Sequence, residues 1–384
     1  MKRIIILCLC LSAILLGCGQ KEQAASLETV FTEEWNETTS STVQTEVMMP
    51  QDNNENLISV SIPATSEHYM HDNDTELFTY TAQHMYFLFP DEDIADAVIV
   101  DFLNRVDSFS EDAETILESA QANFCETDTW IPYFHQVLYS PTRVDHGILS
   151  LFGQQNSYSG GMHGNISCMA ANYDLNTGDV LTLGSIMHAD ATKDDFIDII
   201  VDHLAAIEEE YYLYEDYVEG VRNRLDADEN SYEDFYFTST GLCFFFSPYE
   251  IAPYASGVIT IEIPYNELPG LIYDGYFPAE RDQQLGSMQT SSMAMTNMDN
   301  FDNMAEVTIA AGESKIVAYP HGSVERVQIV LPSDGKNMPS YTVFYAYEMS
   351  DKDAVVITLP DELLDGIHIQ YTSDSINYAI PLSE

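Results

Sequence analysis

Apolar and polar positions begin to alternate at Leu57-Ile-Ser-Val-Ser-Ile62, which predicts a strand, and the aromatic run from Leu77 to Phe89 predicts another. The period then changes. Ile94, Val98, Phe102, Val106 and Phe109, continued by Ile116, Leu117 and Ala120, recur every three or four residues, as on an amphipathic helix. Asp91-Glu-Asp93 acidifies its start, and a break falls near Ser108 to Ser110. Strands are predicted at Tyr133 to Tyr139 and Ile148 to Phe152. A second helix is predicted from Lys193 to about Leu225, with Phe196, Ile199, Ile200, Leu204, Ile207 and Tyr211 on one face. Asp194, Asp195, Asp198, Asp202 and Glu208 to Glu210 form its acidic outer face. Phe235 to Phe237, Leu242 to Phe246 and Val258 to Ile263 read as further strands. This order predicts the α+β class: an antiparallel sheet with two main helices, followed by a small all-β, sandwich-like domain.

The second unit rests on seven short alternating segments: Val307 to Ala310, Lys315 to Tyr319, Val324 to Leu331, Tyr341 to Tyr347, Ala354 to Leu359, Ile367 to Tyr371 and Tyr378 to Leu382. The expected divisions are therefore a signal peptide (1–17), an acidic stalk (18–56), an α+β domain (57–279, with parts 57–152 and 153–279), a linker (280–304) and a β-sandwich (305–384). The stalk is rich in Glu, Thr, Gln and Ser, and such a segment buries too little surface to offset its ordering entropy. The linker carries Met288, Met293, Met295, Met298 and Met304 without a His or Cys, which favours plain linker composition over a copper(I) site.

Tyr158-Ser-Gly-Gly-Met-His-Gly-Asn165 reads as a glycine-rich corner feeding a hairpin that turns at Asn176-Thr-Gly178 and returns through Val180-Leu-Thr-Leu183. With Asp174-Leu-Asn-Thr-Gly-Asp179, Tyr249-Glu-Ile-Ala-Pro-Tyr-Ala-Ser-Gly257 and Ile261-Glu-Ile-Pro-Tyr265, this stretch resembles the extracytoplasmic domain family of RsiV-type lysozyme-responsive anti-sigma factors, found also in front of some peptidoglycan deacetylases. The resemblance covers roughly residues 70 to 275. It implies a binding domain outside the cytoplasm, which in RsiV-like proteins captures lysozyme, a cationic wall-degrading enzyme. After residue 17 there is no transmembrane run and no evident sigma-binding segment, so direct anti-sigma activity is not expected. Deacetylation would require catalytic Asp and His motifs on a further module.

Charge narrows the partners. The chain carries 63 acidic and 13 basic residues, a formal net charge of −50. Such a field repels nucleic acid and anionic membrane and attracts cationic proteins, or it serves solubility alone. At the N-terminus, Lys2-Arg3, the apolar Ile4 to Leu16 and Leu15-Leu-Gly-Cys18 resemble a lipoprotein signal. Lipidation is expected at Cys18, anchoring the protein to the extracytoplasmic face of a bacterial membrane. Cys125, Cys168 and Cys243 remain, without CxxC spacing; buried thiols or one disulfide of unassigned pairing both fit.

No HExxH, GxSxG or phosphate-binding loop is present, and no catalytic residue, metal site or cofactor is expected. His163 is suited to ligate a metal, act as a base or hydrogen-bond the tight corner, and the last is favoured. Asp226-Ala-Asp-Glu-Asn230 with Asp234 resembles a calcium loop, but Ser231 replaces its turn glycine and Phe237 its closing glutamate, so an acidic surface loop is favoured. Tyr158, His163, Asn165, Tyr249 and Tyr254 form the candidate protein-binding set; the tyrosines either make an aromatic face or pack the sheet edge. The expected function is a non-catalytic, surface-anchored module for a cationic wall-active protein such as lysozyme. The alternative is a peptidoglycan-binding or structural envelope module.

Overall fold

The computed structural model describes residues 42–44, 46–48, 57–71, 75–125, 130–226, 235–280, 301–310, 313–320, 322–331, 340–350, 353, 355–360, 367–373 and 376–381. The Cys18 lipidation site, residues 227–234 of the calcium-like loop and the linker methionines before residue 301 lie outside the described residues.

The fold is mixed α+β. Its central sheet has the order β1 (Thr42–Gln44), β4 (Ala64–Met70), β5 (Glu76–Gln83), β7 (Tyr133–Val144), β8 (Ile148–Tyr158), β9 (Asn165–Asp174). β4 and β5 pair antiparallel, while β3 (Ser59–Ser61) and β6 (Tyr86–Leu88) belong to another sheet. The sheet is mixed rather than purely antiparallel, because β5 and β7 run parallel and need a crossover between them. Helices α1 (Glu92–Asp107) and α2 (Ser110–Asn123) supply it. Asp91 caps α1 by accepting from the Asp93 and Ile94 amides, and Ala95, Val98, Phe102 and Val106 are its buried stripe. The break at Ser108 and Phe109 bends the pair so that Ala113, Leu117 and Ala120 of α2 stay buried as well.

Parallel pairing stops at Thr81 opposite Gln136. Beyond it the buried Gln83 amide takes over: it donates to the Ile62 and Tyr139 carbonyls at 3.0 and 3.1 Å and accepts from the Tyr139 amide at 2.5 Å. The Tyr139 amide and carbonyl thereby gain partners where the strands diverge.

Two expectations for the middle of the chain are corrected. Val180-Leu-Thr-Leu183 is not a returning strand: only Val180 bridges to Tyr173, after which Thr182 caps the short helix α3 (Leu183–Ile186). The long second helix is three: α4 (Lys193–Ala205), α5 (Glu208–Tyr211) and α6 (Tyr217–Asp226). A capping box between Thr192 and Asp195 starts α4, and Tyr212, in the left-handed conformation at φ 53°, stops α5. These helices cover β10 (Phe235–Phe237), β11 (Gly241–Phe246) and β12 (Ile259–Pro264). All six residues of β11 are buried. Leu242, Phe244 and Phe246 join the helical core, while Cys243 and Phe245 join Cys168 and Ala170 of β9.

The seven C-terminal strands form, in two sheets completed by N-terminal segments. One is β13 (Phe301–Ala310), β14 (Glu313–Pro320), β17 (Val355–Pro360) and β2 (Glu46–Met48). The other is β19 (Ile376–Pro381), β18 (His368–Ser373), β15 (Val324–Leu331), β16 (Tyr341–Met349), β3 and β6. The expected stalk is corrected accordingly: Thr42–Gln44 and Glu46–Met48 are paired strands. The expected linker ends earlier, since β13 starts at Phe301. The reason lies in β3. Ser59, Val60 and Ser61 are each fully buried, so this strand requires neighbours on both edges and finds them in β6 and β16. Tyr345 then packs with the α1 core and Leu57 with the C-terminal core.

Candidate functional site

The glycine-rich corner is the loop of the β8–β9 hairpin, closed by the pair Ser157 and Asn165. Gly160 and Gly161 adopt φ of 96° and 100°, conformations that suit glycine. Gly160 has a second reason: a Cβ there would lie 2.6 Å from the Tyr133 hydroxyl. These turns expose Met162, at 98%, and His163 beside it.

The proline loop meets this corner. His163 stacks on Tyr254, with ring centroids 4.1 Å apart and planes inclined by 24°. Tyr249 lies 5.7 Å from Tyr254 and 6.5 Å from His163. The imidazole Nδ1 lies 2.8 Å from the Gly164 carbonyl, which only accepts, so Nδ1 carries the proton. In the neutral ring Nε2 is then an acceptor, 3.4 Å from the Tyr249 hydroxyl. His163 does hydrogen-bond the tight corner, and it also joins two loops.

The platform has a firm base. The Ser247 hydroxyl accepts from the Cys168 amide at 2.9 Å, and the Ser247 amide donates to Glu250 at 2.7 Å. Glu250 also accepts from Arg224 at 2.6 Å. Gly220 permits α6 to lie close, since a Cβ there would sit 2.7 Å from the Glu250 carbonyl. Tyr249 is held at φ 75°, unfavourable for a residue with a Cβ, yet the residue is 57% exposed. The conformation is fixed by the loop rather than by burial of the side chain.

Tyr158 stands apart from this group. It packs against Tyr133 at 5.6 Å and Phe134 at 6.2 Å, and its hydroxyl donates to the Gly161 carbonyl at 3.2 Å. Trp130, Phe124 and His71 continue that aromatic row. Asn165 is exposed at the first position of β9. Of the five sequence candidates, three rings therefore converge, Tyr158 supports the corner from the other side, and Asn165 marks its exit. Met162 was not anticipated, although its place between the glycines and the histidine was a signal of exposure.

A second constellation, also unanticipated, is buried. The Arg143 guanidinium donates to Asp145 at 2.7 Å, to the Tyr265 hydroxyl at 2.9 Å and to the Tyr276 carbonyl at 2.7 Å. Burial pushes the Tyr265 hydroxyl up to about 12, against the pull of Arg143. An arginine near the end of a predicted strand region, with an aspartate two residues on, was the available signal. Its donors are committed to holding β7 against the segment after β12, which makes it structural. The thiols of Cys168 and Cys243 are buried and free, and burial pushes each up to about 12, so both are poor nucleophiles. Cys125 is exposed. Among the described residues no group of three or more His, Cys, Asp or Glu side chains is placed to hold a metal. No described helix is long and apolar enough to cross a membrane.

The fold and this face define a mixed α+β protein with an exposed aromatic platform where two loops meet. A DUF3298 domain, described as a protein of unknown function, is found at residues 189–266. A solved DUF3298 family structure from Bacteroides fragilis is similar at 18% identity and TM-score 0.42, over 58% of this chain and 96% of its own. One from Pseudomonas aeruginosa PAO1 is similar at 14% identity and TM-score 0.36, over 64% and 99%. No curated protein matches the chain. Tyr249 and Tyr254 fall inside the DUF3298 span, whereas His163 reaches them from outside it.

Proposed function

We propose that this protein is a surface-anchored, non-catalytic binding module for a cationic wall-active protein such as lysozyme. The carrying observation is the distribution of charge on α4 to α6. Asp194, Asp195, Asp198, Asp202, Glu208, Glu210, Glu215, Asp216 and Glu219 are all exposed on α4 to α6 and their connections. The basic groups among them are engaged within the fold: Lys193 donates to the Leu225 carbonyl, Arg222 pairs with Asp194 and Arg224 with Glu250. The surface therefore keeps a strong negative field, which speeds encounter with a basic protein. Anchoring through Cys18 would hold that surface at the membrane's outer face.

The RsiV-type resemblance supports lysozyme as the partner to test first. The test is calorimetric titration of lysozyme into the purified, folded protein at low salt. Saturable binding supports the reading, and a folded protein that retains no lysozyme refutes it. The alternative, attachment to peptidoglycan, draws on the exposed rings, since sugar rings also stack on aromatics. Co-sedimentation with purified peptidoglycan, without lysozyme binding, would favour it.

A further inference from the structure

We infer that the face formed by His163, Tyr249 and Tyr254 receives an arginine side chain of the cationic partner, its guanidinium stacking on the exposed Tyr249 and the half-buried Tyr254 beside it. This deepens, and rests on, the reading of the protein as a binder of cationic proteins. The rings lie within 6.5 Å of one another, and Tyr249 is 57% exposed. His163 is locked by its bond to the Gly164 carbonyl and by stacking, so the surface is preorganised and loses little freedom on binding.

Charge selects the occupant. Ser256 donates to the Tyr211 carbonyl and Tyr214 to the Ile251 carbonyl, which place the proline loop against the segment carrying Glu208, Glu210, Glu215, Asp216 and Glu219. A cation at the rings therefore lies beside a strongly acidic segment, whereas an anion would be repelled. The cation comes from outside: the nearby Lys193, Arg222 and Arg224 hold other partners, and Arg224 stacks 5.0 Å from the Phe245 ring. Guanidinium is favoured over ammonium because it is planar, stacks on aromatic faces and sheds water more readily. The fold makes the same contact internally, where Arg143 lies 5.5 Å from the centroid of Phe237 and 5.8 Å from that of Tyr265.

The experiment compares octa-arginine with octa-lysine, equal in charge, by titration into the purified protein at moderate salt, with lysozyme run in parallel. The expected result is a roughly two- to fivefold preference for arginine, the size of an exposed cation–π contact. That preference should persist in Tyr249→Phe, which keeps the ring, and vanish in Tyr249→Leu and Tyr254→Leu, which keep apolar bulk. Equal binding of the two peptides, or a preference untouched by both leucine variants, overturns the inference even if lysozyme binds. Failure of both peptides and of lysozyme overturns the inference and the proposed function together.

Discussion

Two aromatic assemblies in this protein make opposite use of similar side chains. Around Arg143 the rings of Phe237 and Tyr265 close over a cation supplied by the chain itself, whose Nε and Nη1 donate to partners inside the fold. Around His163, Tyr249 is exposed and Tyr254 half-buried, beside an acidic segment. The first fixes the fold, and the second is the face proposed for recognition. Burial decides between the roles: a paired guanidinium out of water is costly to disturb, while an exposed ring is cheap to change.

The comparison breaks most sharply at Arg143. Arg143→Met leaves Asp145 buried beside an apolar side chain, and should destabilise the fold by about 3–5 kcal/mol. The urea midpoint measures this; an unchanged midpoint would remove the hub from the account. A smaller loss is expected at the buried junction between the sheets. There Ser150 donates to Asn172 at 2.6 Å, the Asn172 amide donates to the Phe235 carbonyl at 2.8 Å, and Ser150 accepts from the Phe237 amide at 2.9 Å. Asn172→Ala orphans two of these groups and should cost about 1–3 kcal/mol, read from the same unfolding curves.

His135 adds a pH dependence to the stability of the fold. It is fully buried in β7, neither ring nitrogen has a hydrogen-bond partner, and burial lowers its pKa below the ordinary 6.5 while Asp112 pulls it upward. The folded state keeps the ring neutral and the unfolded state protonates it. Stability is therefore complete above about pH 6.5 and falls as pH drops through that value towards the lowered folded pKa. His84, also lowered by burial, adds in the same direction. Unfolding of His135→Phe across pH 5 to 7.5 should show a shallower slope than the parent, and an identical slope would contradict this origin.

The smallest effect is expected on the platform. Tyr249→Gly removes a Cβ from a left-handed residue, and should raise stability by up to about 1 kcal/mol after the entropy cost of glycine. A loss of several kcal/mol in thermal or urea unfolding would mean that the ring holds the fold, which would erase the contrast with Arg143.

The parts of this architecture that sequence reveals are those set by local pattern. Phe235–Phe237, the helix break beside Ser108 and the C-terminal strands follow from residues within a few positions of one another. What sequence alternation does not reveal is pairing across long separations. Ser61 of β3 lies opposite Phe344, and nothing in Leu57–Ile62 names that partner. Val180–Leu183 alternates like a strand, yet the Thr182 cap outweighs the pattern. In the site, the meeting of the glycine corner with the proline loop was conceivable from their tyrosines. The ring that bridges them is His163 instead of Tyr158, because the hairpin seats Tyr158 against Tyr133 and Phe134. Arg143 was harder to see, since its three partners lie at positions 145, 265 and 276.

The most direct test of the binding account is a salt titration of lysozyme binding to the purified protein, beside an unrelated basic protein of similar charge. Selective lysozyme binding that survives about 0.15 M salt, where the screening length is about 8 Å, is the predicted result. Binding of both proteins that salt abolishes equally, or binding of neither, would contradict it.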